Sequence, residues 1–193
     1  MNICVFSSSS NAVDPIYFRE SELLGRLIGE RNHTLINGGA NVGLMEVVAK
    51  EASLSGASTI GVIPERFIRR SLASANISEI IVTKDMQERK FKMRELSHAF
   101  IALPGGFGTL EEIMEVLTLK QLSYHSKPVV FINSNNFFHF LFRQFEIFFN
   151  KKFTRETYRS IYFIASDALE ALDYIENYKE SDNDHGWYQV PEK

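Results

Sequence analysis

Short, largely apolar runs punctuate the chain, and between them apolar residues recur every three to four positions. The runs are Ile3–Phe6, Thr34–Asn37, Thr59–Ile63, Ile80–Val82, Ala99–Leu103 and Val129–Ile132, with Ile161–Ile164 as a seventh candidate. Runs of this length, bounded by serine, glycine or proline, read as strands. The stretches between them read as helices. The first starts at Pro15, a residue suited to a first helical turn, and carries Leu23, Leu24, Leu27 and Ile28 at helical spacing. A second spans Leu44–Ser55 and stops at Gly56. A highly charged helix covers about 85–97, another opens at Thr109 and runs to about Tyr124, and a phenylalanine-dense one covers about 136–150. Asp167 caps a last helix that runs towards Asn177.

Strands that are apolar throughout belong to parallel sheets covered on both faces. Their alternation with helices predicts a Rossmann-like, doubly wound α/β fold of about six or seven parallel strands. Right-handed crossovers then gather the strand-ending loops on one sheet edge, where such folds bind ligands. Those loops are Ser7–Ser10, Gly38–Gly43, Pro64 and Pro104–Gly108.

At 193 residues the chain predicts one domain, over 1–178, followed by a polar C-terminal tail, 179–193. Its 45% hydrophobic and 23% charged residues exclude a disordered or low-complexity protein. The net charge, 21 − 24 = −3, is not that of a general nucleic-acid binder, although a local anion pocket remains compatible with it. No signal peptide or membrane-length apolar run is visible, so a soluble, cytoplasmic protein is expected. The single cysteine, Cys4, excludes an internal disulfide framework and reads as a core filler. The five histidines form no ligand cluster, and no metal site is expected.

The sharpest local signal is Leu103-Pro104-Gly105-Gly106-Phe107-Gly108-Thr109-Leu110-Glu111-Glu112. Glycines after a buried strand let the backbone turn tightly and approach a ligand. The free N–H groups of the helix that follows make an anion site, for phosphate above all, with Thr109 as both cap and hydroxyl donor. No Lys-Ser/Thr pair follows, so this is no Walker A loop. A purely structural strand–helix turn is the other reading. Glu112 lies one turn past Thr109 and would serve a part of the ligand other than its phosphate; a solvated helix face is its plain alternative. Asn37-Gly38-Gly39 opens a second glycine turn on the same edge. Arg89 and Lys90 point about 100° apart, so both need not reach one cleft. Ser7–Ser10 either donate hydroxyls to a nucleotide or serve as loop and cap.

Taken together, these segments resemble the LOG family of cytokinin riboside 5′-monophosphate phosphoribohydrolases, long labelled "possible lysine decarboxylase". The signature P-G-G-x-G-T-x-x-E is met in full by Pro104–Glu112, with Arg89-Lys90 upstream and Gly61-Val62-Ile63-Pro64, Gly43-Leu44-Met45, Gln121-Leu122 and Lys127-Pro128-Val129 in place. The resemblance covers about residues 2–175. It implies hydrolysis of the N-glycosidic bond of adenosine-type, including N6-modified, nucleoside 5′-monophosphates to free base and ribose 5-phosphate, without a cofactor. It implies Arg89 and Glu112 as the catalytic pair. Substrate and phosphate contacts are implied at Ser8, Gly39, Met86, Lys90, Gly105, Gly106, Phe107, Gly108, Thr109 and Thr118. Four places depart from the family pattern: Ala40 and Glu46 stand where glycines are common, His98 stands near the place of a common aspartate, and Ser71 stands near the place of a substrate-contacting glutamate that this chain lacks.

The chemistry is consistent with that assignment. Breaking a ribosyl–purine bond builds positive charge on the sugar, which a carboxylate such as Glu112 stabilises. A homodimer is also implied, and the apolar flanks at Leu44, Met45, Val47 and Val48 and at Ile113, Met114, Val116, Leu117 and Leu119 exceed one helical stripe. The competing readings are a nucleotide-binding module without turnover and a pyridoxal-dependent decarboxylase, for which no Schiff-base lysine with an acidic partner is legible.

Overall fold

The computed structural model describes residues 1–179. His185 and all of the expected tail except Lys179 lie outside the described residues. Among the described residues, seven strands and seven helices follow one another: β1 (Asn2–Phe6), α1 (Pro15–Glu30), β2 (Thr34–Asn37), α2 (Gly43–Leu54), β3 (Thr59–Pro64), α3 (Glu65–Ile68), β4 (Glu79–Thr83), α4 (Met86–Leu96), β5 (Ala99–Ala102), α5 (Phe107–Gln121), β6 (Val129–Ile132), α6 (His139–Asn150), β7 (Phe163–Ala165) and α7 (Ala168–Glu176). Short 3-10 helices at Ser134–Asn136 and Glu156–Ile161 complete the path.

All seven strands are parallel, in the order β4-β3-β2-β1-β5-β6-β7. The chain winds outward from β1 to β4, crosses back through α4, which packs on β3, β2 and β1, and then winds outward again from β5 to β7. The winding reverses between β1 and β5, whose registers end on Phe6 opposite Ala102. At such a switch point the two strand-ending loops diverge and leave a crevice.

Alternate residues of β1 serve opposite faces, as the period of a strand requires. Ile3 and Val5 pack with Leu24 and Ile28 of α1, Val48 and Ala52 of α2 and Leu172 of α7. Cys4 and Phe6 pack with Met93 of α4, Ile113 and Val116 of α5 and Phe145 of α6. Both faces are therefore covered, and the expected doubly wound architecture is the observed one. Among the described residues no helix is long and apolar enough to cross a membrane.

Local chemistry explains the helix starts. Asp14, Asp85 and Asp167 accept hydrogen bonds from first-turn N–H groups of α1, α4 and α7. Three boundaries differ from expectation. The helix expected at Thr109 begins two residues earlier, because Gly106 takes the extended cap conformation (φ −88°, ψ −153°) and Gly108 is admitted to the first turn. The phenylalanine-dense helix begins at His139, because Asn135 and Asn136 adopt left-handed backbone (φ 51° and 56°), which asparagine tolerates. The last strand is Phe163–Ala165, since Ile161 closes a 3-10 turn instead.

Candidate active site

The loops after β1, β2, β3 and β5 open on one cleft of about 670 Å³ at the carboxyl edge of the sheet. Backbone hydrogen bonds hold those loops together: the Ser8 N–H donates to the Pro104 carbonyl (3.3 Å) and the Leu44 N–H to the Ser8 carbonyl (2.9 Å). Asn11 accepts from the Gly43 N–H at 2.8 Å, fixing the start of α2.

At one end, Gly106, Phe107, Gly108 and Thr109 bring the N-terminus of α5 to the cleft. No side chain caps this helix, so its first N–H groups and its positive dipole end are available to an anion. A Cβ added at Gly106 or Gly108 would meet no protein atom, which leaves space beside the backbone for a ligand. Gly105 is needed for another reason. A Cβ there would come within 2.1 Å of the Thr109 hydroxyl oxygen, so this glycine admits the threonine side chain. Thr109 lines the cleft from the first turn but is not the cap, a correction that follows from the earlier helix start.

The floor carries Arg89 of α4 and Glu112 of α5, only 7% and 9% exposed. The Arg89 Nη1 donates to a Glu112 carboxylate oxygen, and its Nε donates to the Val62 carbonyl at 3.1 Å. The guanidinium also presses on Gly38, where a Cβ would stand 2.1 Å from Nη2. Burial raises the Glu112 carboxyl above its ordinary value, and Arg89 opposes the shift without cancelling it. The remaining wall is apolar, with Val42, Met45, Ile63, Phe67, Leu72 and Met86. An anion site, a polar floor and an apolar wall together fit a ligand with a phosphate, a polar centre and a flat apolar body.

The structure places Ser8, Met86, Gly106, Phe107, Gly108 and Thr109 at this cleft with the Arg89–Glu112 pair. It does not bring four other expected contacts there. Gly105 lies behind Thr109. Gly39, in left-handed backbone (φ 69°), packs its Cα on Gly61, so its role is the close approach of two strands. Lys90 faces away from the cleft and pairs with Glu111 and, at 3.0 Å, with Glu115. Thr118 lies about three turns along α5, donates to the Met114 carbonyl at 2.8 Å and borders a separate apolar cavity of about 310 Å³ with Phe145 and Tyr162.

The residues that sequence reasoning missed are Gly38, Val62, Phe67 and Leu72. Gly38 stands beside Gly39 in one motif, and nothing in the sequence separates the two. Phe67 and Leu72 sit on and after α3, a single turn with no periodicity to announce it. The departures at Ala40, Glu46 and Ser71 meet along one seam, whereas His98 lies apart and accepts from the Asn2 N–H (2.9 Å). Ala40 bridges Ala73, Glu46 accepts from the Asn76 amide (2.8 Å), and the Ser71 carbonyl accepts from the Asn41 amide (3.3 Å).

Comparison with known proteins gives the same picture. A family profile described as "Possible lysine decarboxylase" matches residues 45–175. The Arabidopsis thaliana cytokinin riboside 5′-monophosphate phosphoribohydrolase LOG7 is 37% identical over 92% of this chain and 82% of its own length. LOG3 of the same plant, which bears the same activity name, is 37% identical over 91% and 82%. Among solved structures, the molybdenum cofactor binding protein of Rippkaea orientalis superposes with a TM-score of 0.71 at 28% identity, covering 91% of this chain and 94% of its own. The Moco carrier protein of Chlamydomonas reinhardtii, at 23% identity and a TM-score of 0.69, shares the fold. With its signature motif on the cleft, a match across most of its length and relatives above one-third identity, the chain belongs to the LOG family.

Proposed function

We propose that this protein is an N-glycosidic hydrolase that converts adenosine-type nucleoside 5′-monophosphates, N6-modified ones included, to free base and ribose 5-phosphate. The observation that carries the reading is the buried Arg89–Glu112 pair on the floor of a cleft whose end is an uncapped helix N-terminus. The 5′-phosphate binds the first turn of α5, at Gly106–Thr109, and the base lies along the apolar wall. Anchoring the phosphate fixes the glycosidic bond over the floor, so binding energy from a non-reacting group serves the chemical step. As the C1′–N bond breaks, its electron pair leaves with the base, the ribose gains oxocarbenium character that Glu112 stabilises, and a water molecule adds to C1′, its protons going to the departing base and the new hydroxyl. Arg89 orients the Glu112 carboxylate and, with its Nε on the Val62 carbonyl, keeps it aimed.

The protein acts in this reading as a cytoplasmic homodimer. Half-buried Met114 and Leu119 on α5 and exposed Phe91 on α4 supply apolar surface for a second copy.

A panel of nucleoside 5′-monophosphates with detection of released base tests the activity. AMP should yield adenine, and adenosine should react at least about 100-fold more slowly because the anchor is lost. Glu112→Gln should lower kcat by about 100-fold or more while AMP still binds. Near-equal rates on AMP and adenosine, or a variant of undiminished kcat, would overturn the assignment. AMP bound tightly by the wild type with no adenine released would favour a carrier or sensing module instead.

A further inference from the structure

The chemistry of the cleft leaves unused the charge on the outer side of α3. In this segment Pro64, Phe67 and Leu72 line the cleft, whereas Arg66, Arg69 and Arg70 line a different pocket. With Glu65 and with Lys84, just past β4, they surround a second pocket of about 350 Å³. Arg69 is held by Glu65 at 2.6 Å. Arg66, Arg70 and Lys84 are exposed and make no ion pair among the described residues. The acids that follow Lys84 are engaged elsewhere: Asp85 accepts from the Glu88 N–H (2.9 Å) and Glu88 from the Lys84 N–H (2.8 Å). A chain of net charge −3 thus gathers, among the described residues, three cations without an ion-pair partner on a pocket bordered by the same segment that lines its cleft.

We propose that Arg66, Arg70 and Lys84 form an anion-capture site, which takes the phosphate group of an incoming nucleoside 5′-monophosphate before it passes to the N-terminus of α5. The proposal rests on the nucleotide reading above and adds residues that reading does not use. Like charges held together repel one another and weaken the local fold unless an anion visits them. A structural role would pair them, as Glu65 pairs Arg69. A site of permanent residence would pin the side chains by hydrogen bonds, and these three are not pinned. Only the width of one helix, about 10 Å, separates the cluster from the cleft. That distance is comparable with the screening length of about 8 Å at physiological salt and well inside the length of about 30 Å in dilute salt. The cations therefore act on a phosphate dianion at the mouth in dilute buffer and are silenced in concentrated salt.

The triple variant Arg66→Gln, Arg70→Gln, Lys84→Gln tests this, with kcat and kcat/KM on AMP measured from about 10 mM to about 1 M salt. The wild-type kcat/KM should fall as salt rises. The variant should be about ten-fold lower in dilute salt, nearly flat, and equal to the wild type at the top of the range, with kcat unchanged throughout. Adenosine should show no difference between the two proteins. Parallel salt curves, a deficit that persists at high salt, or a loss in kcat would overturn the proposal. The single variant Arg70→Gln, with an unchanged melting temperature, should show a smaller deficit of the same salt dependence and guards against misfolding of the triple. If the wild type releases no base, the association rate of the fluorescent 1,N6-etheno-AMP replaces turnover. Absence of base release overturns the hydrolase reading alone, and an association rate indifferent to the three charges overturns capture alone.

Discussion

Gly38 is small because Arg89 is close. A methyl group there would displace the tip of the guanidinium and touch the Met45 sulfur at 2.9 Å, both movable side chains rather than backbone. Gly38→Ala should therefore keep its melting temperature within a few degrees of the wild type and lose roughly 100-fold in kcat, since a shift of about 1 Å at a reacting group costs that much. Equal losses in stability and activity would point to a packing role instead. The titration of Glu112 gives a second outcome at this scale. Its carboxyl must be ionised to stabilise a developing cation, and burial raises its pKa above the ordinary 4.5. Acidification should accordingly remove kcat at a higher pH than an exposed carboxylate would; a limb at or below the ordinary value would show that another group governs it. The residue types of the floor were legible in the sequence, because Arg89 and Glu112 stand in the signature and its upstream flank. Their neighbours were not, because direction around a helix axis separates Arg89 from Lys90 and only packing distinguishes Gly38 from Gly39.

Helices and strands show the same division. Six strands and most helices were readable from apolar runs and cap residues, since both signals are local. The start of α5 was not, because glycine is a poor helix former and only the cleft requires it at positions 106 and 108. Helix α3 was invisible because four residues carry no period. The contact between α1 and α2 is a non-local feature of this kind. A Cβ on Gly25 would lie 2.6 Å from the Val48 carbonyl and one on Gly29 2.5 Å from the Ser55 Cβ, so these helices meet nearly backbone to backbone. Gly25→Val should separate them at a cost of about 1–3 kcal/mol, read as a lower urea midpoint with an unchanged slope. A variant as stable as the wild type would show that the two helices slide apart freely. The active floor lies on the other face of the sheet, so its kcat at low temperature should be nearly preserved.

For the molecule as a whole, the open question of assembly has a direct measurement. Light scattering at micromolar concentration should give twice the 22.1 kDa of one chain, and a mass near that single value rejects the homodimer. The topology carries a separate consequence for how the protein comes into being. Arg89 arrives on α4, the connection between the two halves of the sheet, and Glu112 on α5, the first helix of the second half. Neither β1–β4 nor β5–β7 can make the floor alone. A chain still leaving the ribosome, or one cut between the halves, holds the guanidinium or the carboxylate without its mate. If these two residues are the working pair, competence toward nucleotides waits until the chain has been made through α5 and the two halves have docked, so neither half alone carries the floor.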